Sequence, residues 1–164
     1  ALNREWQGPT IQVDFNFPEK FKLEYIGNDD KRHVPVMIHR TVLGSMERFF
    51  AVLTEHYSGR FPLWLSPVQV ILLTITDKNI KFAEEILKEL QENNIRVELD
   101  SRAESISYKV REAQSRQIPK IITIGDKEMQ NNTVAIRTLD GKVHFNIKTE
   151  KFIKDTLKQI QDKE

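Results

Sequence analysis

The chain has 164 residues, a formal net charge of +1 and no cysteine, with 39% hydrophobic and 30% charged residues. This length suits one ordinary domain or two small ones, and the composition is typical of a globular protein rather than a disordered one. The lack of cysteine excludes disulfides and all-thiolate metal sites, and no apolar run in the sequence reaches the length of a membrane span.

The first half of the chain is predicted to contain strands, a hairpin and one helix. Apolar and polar residues alternate over residues 10–17, which is the period of a half-buried strand. A turn at 27–30 predicts a hairpin, and the apolar run at 34–38 predicts another strand that passes directly into a helix over 41–57. Apolar residues at helical spacing are expected to form a buried stripe on that helix: Val42, Leu43, Met46, Phe49, Phe50, Leu53 and Tyr57.

The opposite side of this predicted helix carries small and charged residues. A small, open turn at Gly44-Ser45 just before Arg48 can bring the guanidinium beside a flat or anionic ligand. His39 is expected where the preceding strand ends, from which an imidazole can point out of the sheet. A Gly-Ser pair is more often a point of close packing, and a lone arginine is more often solvated, so both interpretations stay open at this stage.

The second half of the chain has a different periodicity. It follows a Pro-bounded segment that is predicted to be a linker, and we place the boundary of two domains, 1–66 and 67–164, near Ser66. The first strand is apolar enough to be covered on both faces, and the order of elements predicts an α/β domain with a mixed sheet. Strands are predicted at 68–75, 95–99, 120–125, 133–139 and 142–147, and helices at 81–93, 105–117 and 151–161.

Charge is unevenly distributed in this second half. Residues 102–120 contain five cations and two anions, and a local positive patch is what contact with phosphates needs. In that interpretation Lys109 and Arg116 contact phosphates, whereas a solvated helix face explains the same residues about equally well. The five cations are Arg102, Lys109, Arg111, Arg116 and Lys120.

A longer motif surrounds the predicted start of the helix in the first half. This motif resembles motif 3 of class II aminoacyl-tRNA synthetases, and its residues are most similar to those of the threonyl-tRNA synthetase family. It consists of His39-Arg40 followed by Gly44-Ser45-Met46-Glu47-Arg48-Phe49. The resemblance extends from about Arg4 to the C-terminus. Further stretches resemble the same family and occur in the same order along the chain: Trp6-Gln7, Thr10 to Phe15, Phe61 to Leu65, and Pro67 to Val70.

The resemblance implies a C-terminal fragment of a threonine–tRNA ligase, which attaches threonine to its tRNA with ATP and Mg²⁺. Residues 1–66 are then the end of an antiparallel-sheet catalytic domain, and residues 67–164 an α/β anticodon-binding domain with a mixed five-stranded sheet. A cytoplasmic homodimer is implied for the full-length enzyme. The fragment alone is expected to be inactive, because motifs 1 and 2 are not in this sequence. The alternative is a non-catalytic RNA-binding module or accessory subunit with a synthetase-like fold.

The resemblance also implies roles for residues of the catalytic part. Arg48 matches the motif 3 arginine, a catalytic residue that stacks on adenine or meets a phosphate of ATP. Gln7, Gln12 and Ser45 match positions on the ATP and threonine side of the site. His39 matches one of three zinc ligands of the family, whose other two ligands lie upstream of this sequence.

In the anticodon-binding part, the resemblance singles out three further residues. Glu128 and Arg137 match positions that read anticodon bases, and Arg111 matches a basic position nearby. The edges of unstacked bases need this mixture of donors and acceptors. Ala103 and Ser105 depart from the family's Asn and Lys. The loss of these hydrogen-bonding groups predicts either weaker anticodon discrimination or discrimination by other residues.

Overall fold

The computed structural model describes residues 4–163, which divide into two units between Tyr57 and Ser58. Residues 1–3 and 164, which belong to the predicted domains 1–66 and 67–164, lie outside the described residues. Over the described range, every helix is too short or too polar to cross a membrane.

Residues 4–57 of the first unit form two antiparallel ribbons and two helices. Strand β1 pairs with β4, and β2 pairs with β3 in the predicted hairpin. Among the described residues of helix α2, none is buried. The elements in chain order are β1 (Thr10–Asp14), α1 (Asn16–Lys20), β2 (Tyr25–Ile26), β3 (Arg32–His33), β4 (Met37–Thr41) and α2 (Met46–Tyr57).

The first strand is shorter than predicted. Strand β1 stops at Asp14 because this carboxylate turns the chain into α1: its Oδ1 accepts hydrogen bonds from the backbone N–H of Asn16 at 2.8 Å and of Phe17 at 3.1 Å. Local bonds of this kind compete with the backbone pairing of a strand. The alternation of apolar residues therefore continues beyond the strand itself.

The predicted passage from strand directly into helix is wrong. Strand β4 lies further along the chain than predicted, so His39 is at its centre rather than at its end. Gly44 has a φ of +72°, which an α-helix excludes. Ser45 then caps the helix, since its Oγ accepts from the Arg48 N–H at 3.3 Å. Helix α2 consequently begins at Met46.

The predicted apolar stripe of α2 is not buried: Phe49, Leu53 and Tyr57 are half-buried and the others are exposed. Met46 and Phe50 keep 51% and 57% of their surface exposed. One face of the β1–β4 ribbon is equally open, because Val13 pairs with Ile38 and both are exposed. Within the described residues, these two apolar faces have no covering layer.

The second unit is an α/β domain with a mixed five-stranded sheet, which confirms the predicted fold class. The strand order is β6-β5-β7-β8-β9; the first three strands are parallel, and β8 and β9 continue the sheet by antiparallel pairing. The elements in chain order are β5 (Val70–Thr74), α3 (Ile80–Glu92), β6 (Val97–Asp100), α4 (Ile106–Ser115), β7 (Lys120–Ile124), α5 (Asp126–Asn131), β8 (Thr133–Thr138), β9 (Val143–Lys148) and α6 (Thr149–Gln161).

Alternate residues of β5 enter two hydrophobic cores, one on each face of the sheet. Val70 and Leu72 pack with side chains of α3 and α6, whereas Ile71 and Leu73 pack with Ala113 of α4. All residues of β5 are buried, as the continuous apolar sequence predicts for a strand covered on both faces. Each such aliphatic side chain contributes roughly 1.5–3 kcal/mol on burial.

Helix α5 is absent from the sequence-based prediction. Its six residues have no apolar period, so they carry no signal of the kind that identifies longer helices. The helix depends on local bonds instead, since the Gly125 N–H donates to Glu128 Oε2 at 3.1 Å. Asn132, with a φ of 50°, ends the helix in the left-handed conformation that asparagine tolerates.

The segment predicted to be a linker packs onto the second unit. The buried Gln69 side chain donates from Nε2 to the Leu63 carbonyl at 2.9 Å. Arg96 donates to the carbonyls of Trp64 at 2.7 Å and Ser66 at 2.9 Å. The packed unit therefore extends back to Ser58, and the predicted functional boundary near Ser66 stays a prediction.

Lys120 is half-buried at the start of β7 and does not belong to an exposed basic patch. Its Nζ donates to Thr156 Oγ1 at 3.0 Å and lies 5.4 Å from the centre of the Phe152 ring. Burial lowers the pKa of this ammonium group to about 8 from 10.5, although Asp155 acts in the opposite direction. The folded state therefore disfavours the charged form of Lys120.

This pKa predicts a pH-dependent stability. Between pH of about 8 and 10.5 the unfolded lysine binds more protons than the folded one, so the free energy of unfolding is expected to rise by about 1–3 kcal/mol. Below pH 8 both states are protonated and the full penalty persists. Urea denaturation across this range should show the rise for the unaltered chain and for Lys151→Met, an exposed control, but not for Lys120→Met. A Lys120→Met curve parallel to that of the unaltered chain contradicts the assignment.

Candidate functional site

The three predicted anticodon residues line a single cavity in the second unit. Arg111 comes from α4, Glu128 from α5 and Arg137 from β8, and the cavity has a volume of about 530 Å³. The sheet contributes residues of β7, β8 and β9 on the face that α4 covers. Three charged side chains far apart in sequence therefore meet around one concave surface.

The carboxylate and one guanidinium are held by local hydrogen bonds. Glu128 Oε2 accepts from the Gly125 N–H at 3.1 Å, which fixes the carboxylate at the start of α5. Arg137 Nη1 donates to the Gly141 carbonyl at 3.3 Å, in the turn between β8 and β9. A carboxylate has about four lone-pair sites and a guanidinium five N–H groups, so both retain capacity for a ligand.

Apolar side chains form much of the remaining cavity wall, beside the polar residues Ser107, Gln114 and Thr123. Val110, Ala135 and Val143 line it, together with Ile75 and Phe145, which are 49% and 65% exposed. An apolar concavity with a few convergent polar groups is the usual form of a site for a small planar group. The cavity can bury the faces of such a group and hydrogen-bond its edge.

The predicted basic patch is largely used within the protein. Lys109 is only 2% exposed, and its Nζ donates to the carbonyls of Thr74 at 3.0 Å and Asp100 at 3.3 Å. The prediction that Lys109 contacts phosphates is therefore wrong, because its ammonium group links two strand ends inside the domain. Arg116 is ion-paired with Glu98 at 2.8 Å, and its phosphate contact stays a prediction.

Arg102 is engaged by two carboxylates. Its Nη2 lies 2.7 Å from Asp100 Oδ2 and 2.8 Å from Glu112 Oε2, and its Nε donates to Asp100 Oδ1 at 3.0 Å. The hydrogen bonds from Arg102 hold the pKa of Asp100 below its ordinary value. Arg102 therefore stabilises the strand end at Asp100, and Arg111 is the cation of this stretch that faces the cavity.

The two departures from the family pattern lie just before α4. Ser105 is the N-cap of this helix, with its Oγ accepting from the Tyr108 N–H at 3.3 Å. Serine is among the preferred residues at that position, so the change from the family's lysine supplies a cap in place of a charge. Ala103 is exposed and has no polar side-chain atom.

In the first unit, two of the predicted site residues lie side by side. Gln12 and His39 are opposite each other in the β1–β4 register, and both line a cavity of about 560 Å³. His39 Nε2 lies 2.9 Å from Asp14 Oδ2, and the Phe17 ring lies 5.9 Å from the imidazole in an edge-on arrangement. The hydrogen bond to His39 is the largest cause of the lowered pKa of Asp14.

These residues do not form a metal centre by themselves. Among residues 4–163, no three His, Cys, Asp or Glu side chains cluster in a way that could hold a metal ion. One nitrogen of His39 is already engaged by Asp14, and a zinc site needs three protein ligands or more. The assignment of His39 as a metal ligand stays a prediction.

The other predicted residues of the first unit cluster around the bend before α2. A Cβ placed on Gly44 would lie 3.9 Å from the Gln7 carbonyl oxygen, so Gln7 approaches this bend closely. Ser45 and the exposed Arg48 occupy the first turn of the helix. Among the described residues, the lining of the cavity beside His39 includes none of Gln7, Ser45 and Arg48.

Two residues near these sites are not identified by the sequence. Asp14 shares the polar face of β1 with Gln12, and alternation alone could have placed it next to His39. Phe145 belongs to an ordinary-looking strand sequence, and no local signal distinguishes it from a core residue. Its exposure depends on how β9 pairs with β8.

Comparison with protein families identifies both units. Residues 68–159 match the family model described as the anticodon binding domain, and residues 1–57 match the model described as the tRNA synthetase class II core domain (G, H, P, S and T). The first match covers more than half of the chain, and the chain therefore belongs to the anticodon binding domain family.

Curated relatives point to one enzyme within this class. The threonine–tRNA ligase of Desulfatibacillum aliphaticivorans is 50% identical over 98% of this chain and 25% of its own length. That of Acetivibrio thermocellus is 50% identical over the whole chain and 26% of its own length. The chain thus spans about a quarter of the length of the curated relatives it matches.

A solved structure has the same fold as this chain. The RNA binding domain of threonyl-tRNA synthetase from Cryptosporidium parvum Iowa II superposes with a TM-score of 0.81 and 35% sequence identity. The match covers 97% of this chain and 40% of the solved chain. At this identity and coverage the likeness extends through both units.

Proposed function

We propose that the chain is the C-terminal part of a cytoplasmic, homodimeric threonine–tRNA ligase. Residues 67–164 bind the anticodon of a threonine tRNA, and residues 1–66 supply part of the site for ATP and threonine. The observation that carries the RNA-binding part is the convergence of Arg111, Glu128 and Arg137 on one cavity. Relatives that align with nearly the whole chain are named threonine–tRNA ligases, which supports threonine as the amino acid that is attached.

The chemistry of the cavity suits an unpaired nucleobase. Its guanidinium groups donate and its carboxylate accepts, which is the mixture that Watson–Crick edges require. The apolar walls bury the faces of a base. Because most cations of the 102–120 stretch are buried or ion-paired, base contacts rather than phosphate contacts are expected to dominate binding.

The first unit is proposed to be the end of a larger catalytic domain. Its uncovered apolar faces, on α2 and on the β1–β4 ribbon, need a partner layer, and the relatives are about four times as long as this chain. In the full-length protein, which uses ATP with Mg²⁺, Arg48 meets adenine or a phosphate of ATP. Gln7, Gln12 and Ser45 line the ATP and threonine side. We propose His39 as one zinc ligand that needs further ligands from elsewhere in that protein.

The RNA-binding proposal is tested with the 164-residue chain and Arg137→Ala. Replacing a residue that meets a base edge is expected to weaken binding of the cognate anticodon stem-loop by about 1–3 kcal/mol and to relax the preference over an altered anticodon. Lys88→Ala, whose side chain is 78% exposed on α3, is the charge control and should bind as the unaltered chain does. Titrations at two salt concentrations separate base contacts from phosphate contacts.

Binding without preference for the cognate anticodon contradicts the proposal. Equal affinity of the unaltered chain for cognate and altered stem-loops, with Arg137→Ala indistinguishable from it, leaves only nonspecific binding. A steep salt dependence for both stem-loops would point to the same conclusion.

A further inference from the structure

The ladder between β8 and β9 contains a bulge next to the cavity. Val134 pairs with Ile147 and Ile136 pairs with His144, so a single residue of β8, Ala135, faces two residues of β9. These two are Phe145 and Asn146. Asn146 has a φ of 57°, the left-handed conformation that asparagine tolerates better than most residues. The irregularity is therefore a β-bulge with a left-handed residue.

The bulge places Phe145 and Ile147 on opposite faces of the sheet. In a regular strand, residues two apart share a face. Here Ile147 packs against the core formed with α3 and α6, whereas Phe145 lines the cavity on the α4 side. On β8 the alternation is regular, with Val134 and Ile136 in the core and Arg137 at the cavity. One additional residue thus turns an aromatic ring out of the core and into the cavity.

Phe145 is 65% exposed in that position. An exposed phenylalanine loses the stabilisation that burial of its ring would give. The ring also lines the same cavity as Arg137 and Glu128, whose groups can hydrogen-bond the edge of a base. An aromatic face beside such groups is the usual platform for an unstacked base, and it accepts any base because each has a π-face.

We propose that Phe145 stacks on an unpaired base of the bound RNA, and that the Asn146 bulge presents its ring. This inference rests on the proposed RNA-binding function. It divides the cavity into two functions: Phe145 supplies affinity for any base, and Arg137 and Glu128 supply the choice among bases.

The test compares Phe145→Leu with Phe145→Tyr in the 164-residue chain, using stem-loops with cognate and altered anticodons. Phe145→Leu is expected to weaken both stem-loops by a similar factor of roughly 5- to 100-fold, since stacking does not depend on base identity. Phe145→Tyr keeps an aromatic face and should bind nearly as the unaltered chain does. Tyr108→Leu is the matched control, because Tyr108 is 52% exposed and the described lining of the cavity does not include it.

A spectroscopic signal locates the stacked base. The fluorescence of 2-aminopurine, placed singly at each anticodon position, is expected to be quenched at one position by the unaltered chain and not by Phe145→Leu. Asn146→Gly keeps the left-handed conformation and the quenching. Asn146→Val disfavours that conformation and should lose the quenching, as a β-branched residue rarely adopts it.

The outcomes separate the two proposals. If Arg137→Ala relaxes the anticodon preference but Phe145→Leu binds and quenches as the unaltered chain does, the stacking role is wrong and the RNA-binding function stands. If the unaltered chain binds neither stem-loop, the RNA-binding function fails, and the stacking role fails with it. If it binds both equally and Arg137→Ala is indistinguishable from it, the anticodon-reading function fails, and the stacking role then stands or falls on the effect of Phe145→Leu. If Phe145→Leu loses affinity for the cognate stem-loop alone, Phe145 selects bases rather than stacking on any of them, which also overturns the inference.

Discussion

Lys109→Ala is expected to destabilise the second unit by about 2–5 kcal/mol, a large part of the 5–15 kcal/mol typical of a domain. The ammonium group of Lys109 donates to the carbonyls of Thr74 and Asp100, at the C-terminal ends of two neighbouring parallel strands. Alanine leaves both acceptors without this donor and removes a long, fully packed side chain. The destabilisation therefore combines the loss of a donor to two buried carbonyls with a cavity; the Asp100 carbonyl keeps only the Thr74 hydroxyl, at 3.5 Å.

Urea denaturation of the 164-residue chain measures this effect. Lys109→Met keeps most of the packing and loses only the ammonium donor. Its free energy of unfolding should therefore fall by less than that of the alanine variant. Arg111→Ala, two residues away on the exposed side of α4, is the control and should change the free energy of unfolding by less than about 0.5 kcal/mol. A loss below 1 kcal/mol for Lys109→Ala would show that the two carbonyls do not depend on this lysine.

Arg48→Ala in the full-length protein is expected to lower kcat/KM for threonine-dependent exchange of pyrophosphate into ATP by roughly 10²- to 10³-fold. This prediction rests on the proposed catalytic function. Arg48 extends from the first turn of α2, where the cap by Ser45 fixes the backbone, and its planar cation suits either adenine or a phosphate. Lysine cannot reproduce this planar group, so Arg48→Lys should restore little of the activity.

Arg32→Ala is the matched control for that measurement. Arg32 is in the same unit, is 75% exposed and pairs with Glu24 on the hairpin. Its variant should keep the activity of the unaltered enzyme within about twofold, because exposed ion pairs contribute little. An Arg48→Ala enzyme with similarly unchanged kcat/KM would remove Arg48 from the site.

The fold of the second unit could largely be predicted from its sequence. The continuous apolar run of β5 indicated a strand covered on both faces, and the helices α3, α4 and α6 have clear apolar stripes. Helix α5 could not be found in this way, since the bond between Gly125 and Glu128 supports it rather than a periodic pattern. The end of β1 and the start of α2 differ from the prediction for a similar reason, because Asp14 and Ser45 accept local backbone hydrogen bonds.

The candidate site was predictable only in part. Residue type alone suggests that lysine is exposed, and the burial of Lys109 depends on two strand ends that meet only in the folded sheet. The position of the Phe145 ring at the cavity depends on a bulge of a single residue. The alternation of apolar and polar residues does not indicate where the pairing of two strands shifts register.

The packing of the segment before β5 decides where this domain could be separated from its neighbour. Gln69 is fully buried, and its amide group donates a hydrogen bond to the Leu63 carbonyl. Cutting the chain after Ser66 would remove this carbonyl. Arg96 would lose two acceptors by the same division, those of Trp64 and Ser66. A second unit that keeps these hydrogen bonds therefore has to start near Ser58, where the left-handed residues Ser58 and Gly59 follow the end of α2.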